Sequence, residues 1–129
     1  MLFGTFDGIH EGHLNLFKQA KSKGDYLIVI VGRDETVKKV KNRYPKIDEK
    51  GRMKDLKKYS VINKVLLGGK KDPYGLIERL KPDIICLGYD QKSFTKDLNK
   101  EIKLRGLKSK IVRLKAYKPD IYHSSKLKK

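Results

Sequence analysis

Apolar residues in this chain follow two patterns. In five short stretches they are dense: Met1 to Phe3, Tyr26 to Val31, Val61 to Leu67, Asp83 to Leu87 and Lys110 to Leu114. The run Tyr26-Leu-Ile-Val-Ile-Val31 is apolar and largely β-branched, which is how a strand covered on both faces reads. Between these stretches apolar residues recur every three or four positions, the spacing of a helix with one buried side. That spacing predicts helices over about Glu11 to Lys23, with Leu14, Leu16, Phe17 and Ala20, and over Asp48 to Tyr59, with Met53 and Leu56. A short helix follows around Leu76, Ile77 and Leu80, and another over about Phe94 to Arg105. Gly24 and Gly106 stand where helices should stop, and Asp48 where one should be capped. Val37 to Arg43 reads as a basic segment before Pro45. The tail from Ala116 holds a loop at Pro119 and the start of a last helix near Ser124.

Strands alternate with helices along the whole chain. The economical architecture is therefore α/β: a single doubly wound, Rossmann-like, five-stranded parallel sheet with right-handed crossovers. No repeat or long linker divides residues 1–129, so one domain is expected. In such sheets ligands lie beyond the carboxyl ends of the strands, where the strand order reverses. The residues with chemistry gather there. Thr5 to His13 follow the first strand, Gly88-Tyr-Asp90 the fourth, and Arg113 to Ser125 surround the end of the fifth.

The densest chemistry lies in Gly4-Thr-Phe-Asp-Gly-Ile-His-Glu-Gly-His13. It reads as a strand end, a glycine-bearing turn and a helix N-terminus carrying His10 and His13. Three residues apart, the imidazoles share one side of the first turn. Open backbone N–H groups and the positive end of the helix dipole lie beside them, which favours an anion, above all phosphate. Gly12 lets such a ligand approach the backbone closely. A zinc reading fails, because His-Glu-Gly-His is not the H-E-x-x-H spacing and no second ligand pair accompanies it.

Composition narrows the field. The chain is 38% hydrophobic and 36% charged, with a net charge of +17 carried mainly by scattered lysines, including Lys38-Lys39, Lys57-Lys58 and Lys70-Lys71. No arginine-rich arm, zinc-finger spacing or RNP-type aromatic motif accompanies that charge, so nucleic acid is expected to bind only nonspecifically, at low salt. A basic nucleic-acid-binding module remains the competing non-enzymatic reading. No stretch reads as a signal peptide or a membrane span, and the expectation is a cytoplasmic protein. Cys86, alone in an apolar run, reads as an inert buried thiol.

Gly4-Thr-Phe-Asp7 followed by His10-Glu-Gly-His13 resembles the G-x-F-D-x-x-H-x-G-H signature of the cytidylyltransferase-like nucleotidyltransferases. Ser124-Ser125-Lys126 is similar to that family's second signature, a hydroxyl-rich run opening the last helix. Gly32-Arg-Asp-Glu-Thr-Val-Lys38, Leu80-Lys-Pro-Asp-Ile-Ile85, Leu87-Gly-Tyr-Asp-Gln91 and the Tyr117 to Ser125 tail resemble the archaeal FAD synthases, so the likeness spans nearly the whole chain. It implies transfer of AMP from ATP to FMN, giving FAD and pyrophosphate, with a divalent metal such as Mg²⁺. Glycerol-3-phosphate cytidylyltransferase, which would use CTP, shares the first signature and is the alternative. Similar archaeal chains often carry cysteines near the C-terminus; this one has none there. They also begin with more apolar residues, so the first strand is expected to lack its opening; the tail stops four residues after Ser125, so the last helix is expected to be a stub or incomplete.

Carried over by motif, the resemblance assigns ATP contacts to Thr5, Phe6, His10, Glu11, Gly12, His13, Asp90 and Tyr117. Ser124 and Ser125 suit the outer phosphates, though an N-cap would read the same way. His10 and His13 are the expected catalytic donors. A lysine after the second strand assists transfer in similar enzymes, and Lys38 or Lys41 is its counterpart; a solvated basic face is the plainer reading. Arg52 and Arg113 are expected phosphate contacts, with a surface ion pair as the alternative for Arg52. Asp7 either orders its turn or helps hold the metal through water. A homodimer is the default assembly for a soluble oligomer.

Overall fold

The first strand, β1 (Leu2–Gly4), is only three residues long and lies at the centre of the sheet. In the computed structural model, which describes residues 1–70, 72, 74–88 and 97–115, β2 (Ile28–Val31) and β3 (Lys64–Leu67) stack on one side of it. On the other side come β4 (Ile84–Leu87) and β5 (Lys110–Arg113), giving the order β3-β2-β1-β4-β5. Every pairing is parallel, as the α/β reading requires.

Strand residues alternate between two apolar layers because successive side chains point to opposite faces. Leu2, Val29, Val31, Val65 and Cys86 pack with Phe17, Ala20 and Leu56. These last come from α1 (Glu11–Ser22) and α3 (Glu49–Leu56). On the opposite face Ile30, Ile85 and Leu87 meet Leu76 and Ile77 of α4 (Gly75–Leu80) and Leu98 and Ile102 of α5 (Leu98–Leu104). Val29, Val31 and Ile85 are 0% exposed, and each contributes about 1.5–3 kcal/mol through burial. Cys86 lies in the core at 1% exposure, as expected, and burial raises its thiol pKa.

The register places the opening of the site. β1 shares three partners with β2, but only Leu2↔Cys86 joins it to β4. The winding of the chain reverses between these two strands. A crevice at the carboxyl ends of β1 and β4 follows.

Two elements differ from expectation. Asp34–Lys41 is a helix, α2, where the pattern suggested only a basic segment. Its signals are electrostatic: Asp34 and Glu35 occupy the first turn, Lys38, Lys39 and Lys41 the last, and Asn42 ends it at φ 58°. Its N-terminus is held from outside, since the Asp34 N–H donates to Glu49 Oε1 at 3.0 Å. Gly24 does not stop α1 with a left-handed turn. Lys23 caps that helix in right-handed geometry, and the Gly24 N–H donates to Lys21 O. Gly106 does end α5 left-handed, at φ 66°. Among the described residues no helix is long and apolar enough to cross a membrane.

Candidate active site

The turn after β1 depends on two left-handed residues, Phe6 at φ 56° and Gly8 at φ 92°. Glycine adopts that backbone freely; for Phe6 it costs roughly 1–3 kcal/mol and must be held by its surroundings. They hold it well. The Phe6 ring is 6% exposed, lies 5.4 Å from the Phe17 ring, and rests over Gly4. A Cβ at Gly4 would come within 2.5 Å of Phe6 Cζ, so the glycine makes room for the ring.

His10 closes the turn as the N-cap of α1. Its Nδ1 accepts the Gly12 N–H at 3.0 Å, while its own N–H donates to His13 Nδ1 at 3.2 Å. This is a reciprocal capping box made from two imidazoles. Each Nδ1 is an acceptor here, so the ring proton sits on Nε2, the opposite edge. The rings stack with centroids 4.0 Å apart, and the Phe6 ring meets His13 edge-on at 5.6 Å. A Cβ at Gly12 would approach His10 Cε1 to 2.7 Å, so that glycine lets the ring fold over the helix start. The local sequence thus fixes both the tautomer and the direction of two N–H donors.

A cavity of about 690 Å³ opens beside them, walled by His13, Thr5, Asp7 and Gly88 and by three cations, Lys41, Arg43 and Lys46. His13 forms part of the wall, and His10 stacks on it from the exposed side. Glu11 is exposed in the first helical turn, outside the lining.

Lys38 and Lys41 part company. Lys41 lines the cavity, whereas Lys38 Nζ sits 5.7 Å over the Tyr44 ring and 3.4 Å from Asn42 O. Lys46 is a cation that periodicity did not single out. It lies in a stretch with no regular structure, and its place comes from Asp7, whose carboxylate accepts the N–H groups of Lys46 at 2.8 Å and Ile47 at 2.9 Å. Desolvation pushes Asp7 up, but the two N–H donors, with Arg52 and Arg43, outweigh it and hold the carboxyl below its ordinary value. The carboxylate thereby ties the turn after β1 to the segment before α3. Among the described residues no group of three or more His, Cys, Asp or Glu could hold a metal by itself.

Arg52 corrects the expectation of an open phosphate contact or a surface pair. It is 0% exposed, with Nε on Ile47 O at 2.9 Å, Nη1 on Thr5 O at 2.8 Å and Nη2 on Asp34 at 2.7 Å. It ties the β1 turn, the segment after α2 and the start of α2 together. Arg113 reaches back to Gly88 O at 2.7 Å, bracing the exit of β4. Asp90, Tyr117, Ser124 and Ser125 lie outside the described residues.

A family model described as cytidylyltransferase-like matches residues 1–129. The FAD synthase of Aciduliprofundum boonei is 41% identical over 91% of this chain and 78% of its own, and that of Methanothermus fervidus 44% over 92% and 83%. The FAD synthase of Thermoplasma acidophilum is 36% identical over 100% of this chain and 90% of its own. Among solved structures, the lipopolysaccharide core biosynthesis protein from Thermoplasma volcanium superposes with a TM-score of 0.84 at 38% identity, covering 91% of this chain and 95% of that one.

Proposed function

The chain belongs to the cytidylyltransferase-like family, and from that membership we infer that it is an FMN adenylyltransferase, transferring AMP from ATP to FMN to give FAD and pyrophosphate. The observation that carries the reading is the imidazole-capped start of α1 beside a cation-walled cavity, in a chain whose relatives are FAD synthases.

The chemistry asks little of a protein beyond positioning and positive charge. An oxygen of the FMN phosphate attacks the α-phosphorus of ATP. The new P–O bond forms as the bond from that phosphorus to the bridging oxygen breaks, and pyrophosphate leaves with the electron pair. We place the Nε2–H groups of His10 and His13 on the nonbridging oxygens, where negative charge grows. Gly12 does not open the helix start to the polyphosphate, as the sequence suggested, but makes room for the His10 ring that carries one of these donors. Lys41, Arg43 and Lys46 face the same space and offset the charge on the acceptor phosphate and the leaving group. The main-chain and side-chain groups of Thr5 and Phe6 shape the turn that carries ATP, with Asp90, Tyr117, Ser124 and Ser125 as further nucleotide contacts.

A divalent ion such as Mg²⁺ fits this site as a companion of the triphosphate, because it keeps several waters and needs only one or two carboxylates. It would neutralise phosphate charge, and Asp7 is the acidic residue in the cavity wall that would hold it through water. A cytoplasmic setting, where both substrates are at hand, and a homodimeric assembly complete the proposal.

The test is pyrophosphate release with Mg²⁺ and each pairing of ATP or CTP with FMN or glycerol 3-phosphate. Release with ATP and FMN alone is expected. Release with CTP and glycerol 3-phosphate, and none with ATP and FMN, would overturn the assignment.

A further inference from the structure

The chain leaves β5 under three successive ties. Arg113 reaches across to Gly88 O at 2.7 Å, at the exit of β4. The Leu114 N–H donates to Leu87 O at 2.8 Å, and the Leu114 side chain is buried in the layer that holds Phe17 and Ala20 of α1. At Lys115 the partner changes from a strand to a side chain. Gln19 Oε1 accepts the Lys115 N–H at 2.9 Å, and Gln19 Nε2 donates to Lys115 O at 2.9 Å. One carboxamide thus takes both main-chain groups of one residue, as a neighbouring strand would. The pairing sets its orientation, since the N–H needs the amide oxygen and the C=O needs the amide nitrogen. Asn15, one turn earlier on α1, accepts from Gln19 Nε2 on its Oδ1 at 2.6 Å and holds the amide in place. Asn15 and Gln19 are half-buried, whereas Lys115 is exposed.

The helix that supplies this clamp is the one that His10 caps and that carries His13. Its other end of the tie is the residue from which the segment holding Tyr117, Ser124 and Ser125 departs. We propose that Gln19 is a positioning residue for ATP: its amide fixes the course of the chain leaving β5 relative to α1, so that the tail's nucleotide contacts meet phosphates held at the helix start. The inference rests on the ATP contacts proposed above and adds a residue that acts through the main chain, from outside the wall of the first cavity. Sheet pairing cannot do this work, because the register of β4 with β5 ends at Leu87↔Arg113. Without the amide, the two groups of Lys115 turn to water and the exit of the chain is free to swing. Ordering the tail then becomes a cost of binding ATP.

The test measures ATP binding apart from turnover. Calorimetry gives the Kd for ATP with Mg²⁺ and no acceptor, for the wild type and for Gln19→Met, Gln19→Glu and Lys115→Ala. Melting temperatures, kcat and the KM values for ATP and FMN are measured alongside. Gln19→Met keeps the length and helix propensity of the side chain but makes neither bond; Gln19→Glu keeps the acceptor and sets a second oxygen against Lys115 O. Both should weaken ATP about tenfold and raise its KM in step, with kcat at saturating ATP and KM for FMN unchanged. Lys115→Ala, which keeps the main chain, should match the wild type. In a Tyr117→Ala, Ser124→Ala, Ser125→Ala background, which lacks the tail contacts, Gln19→Met should weaken ATP no further. An equal loss in that background and in the wild type would overturn the proposal, as would a loss in Lys115→Ala as large as in Gln19→Met. A lowered melting temperature with ATP binding unchanged would also overturn it, leaving the clamp a structural tie. If Gln19→Met weakens ATP as expected but the wild type forms no FAD, the adenylyltransferase reading fails and the positioning role stands.

Discussion

His10 does two jobs that can be separated. Its Nδ1 caps α1 through the Gly12 N–H, and its Nε2–H is the proposed phosphate donor. Asparagine can cap as well as histidine, but with Oδ1 on the cap its shorter amide cannot carry a donor to where the imidazole Nε2–H stands. His10→Asn is therefore expected to keep the melting temperature and lose roughly a hundredfold or more in kcat, the usual cost of removing one donor to developing charge. His10→Ala should lose both, with about 1 kcal/mol of stability gone as well. Equal kcat in the asparagine variant and the wild type would remove the histidine from the chemistry. Arg52 makes the opposite case. The Arg52→Met substitution strips the partners from Thr5 O, Ile47 O and Asp34 at a site with no exposure, so a loss of about 3 kcal/mol in urea unfolding is expected. An Arg52→Met variant of normal stability with only a raised KM for FMN would restore Arg52 as a direct phosphate ligand. The side-by-side placement of the two histidines was legible, because three-residue spacing at a helix start dictates geometry locally, but not that their Nδ1 atoms take up the N–H groups expected to be open. It carried no sign of Arg52's burial, which depends on three segments far apart in the chain.

At the scale of elements, the strands and the order of helices were legible because burial imposes a period of two or of 3.6 on the residues. The exception is α2, with Val37 as its one buried residue and a cap supplied by Glu49 from another helix. Its C-terminal end is what brings Lys41 to the cavity, so the helix that periodicity missed carries one of the proposed phosphate contacts. The start of α1 offers a sharp contrast between stability and function. Gly12→Ala replaces a poor helix former with the best one, a gain of up to about 1 kcal/mol by propensity alone. Yet the added Cβ would meet the His10 ring at 2.7 Å and force it aside. The variant is expected to lose activity through a displaced imidazole even if its melting temperature holds or rises. A fully active, more stable Gly12→Ala enzyme would mean that the ring's position is immaterial.

Across the whole molecule, carboxylates stitch the loops together. Asp7 is held below its ordinary pKa, with the Lys46 and Ile47 N–H groups, Arg52 and Arg43 outweighing desolvation. Asp72 is lowered too, by the hydrogen bond from Arg105 above all, which ties the segment after β3 to the end of α5. For groups whose folded pKa lies below the unfolded one, the stabilisation is complete above the unfolded value and is lost as pH falls through the folded value. Stability should thus decline below about pH 4, and the decline should be shallower in Asp7→Asn, which is already less stable at neutral pH. Parallel unfolding curves for that variant and the wild type across the acid range would contradict this. The net charge of +17 has a different consequence. Binding to arbitrary duplex DNA is expected at low salt and to vanish by about 0.2 M, with His10→Asn and the wild type alike. The central claim concerns the α-phosphorus, and one experiment addresses it: ATP radiolabelled at the α-phosphate, incubated with FMN, Mg²⁺ and the protein in a single turnover. The label is expected to pass wholly into FAD, leaving the released pyrophosphate unlabelled. Label remaining in ADP, or passing to any product other than FAD, would show that the protein does not transfer AMP to the flavin.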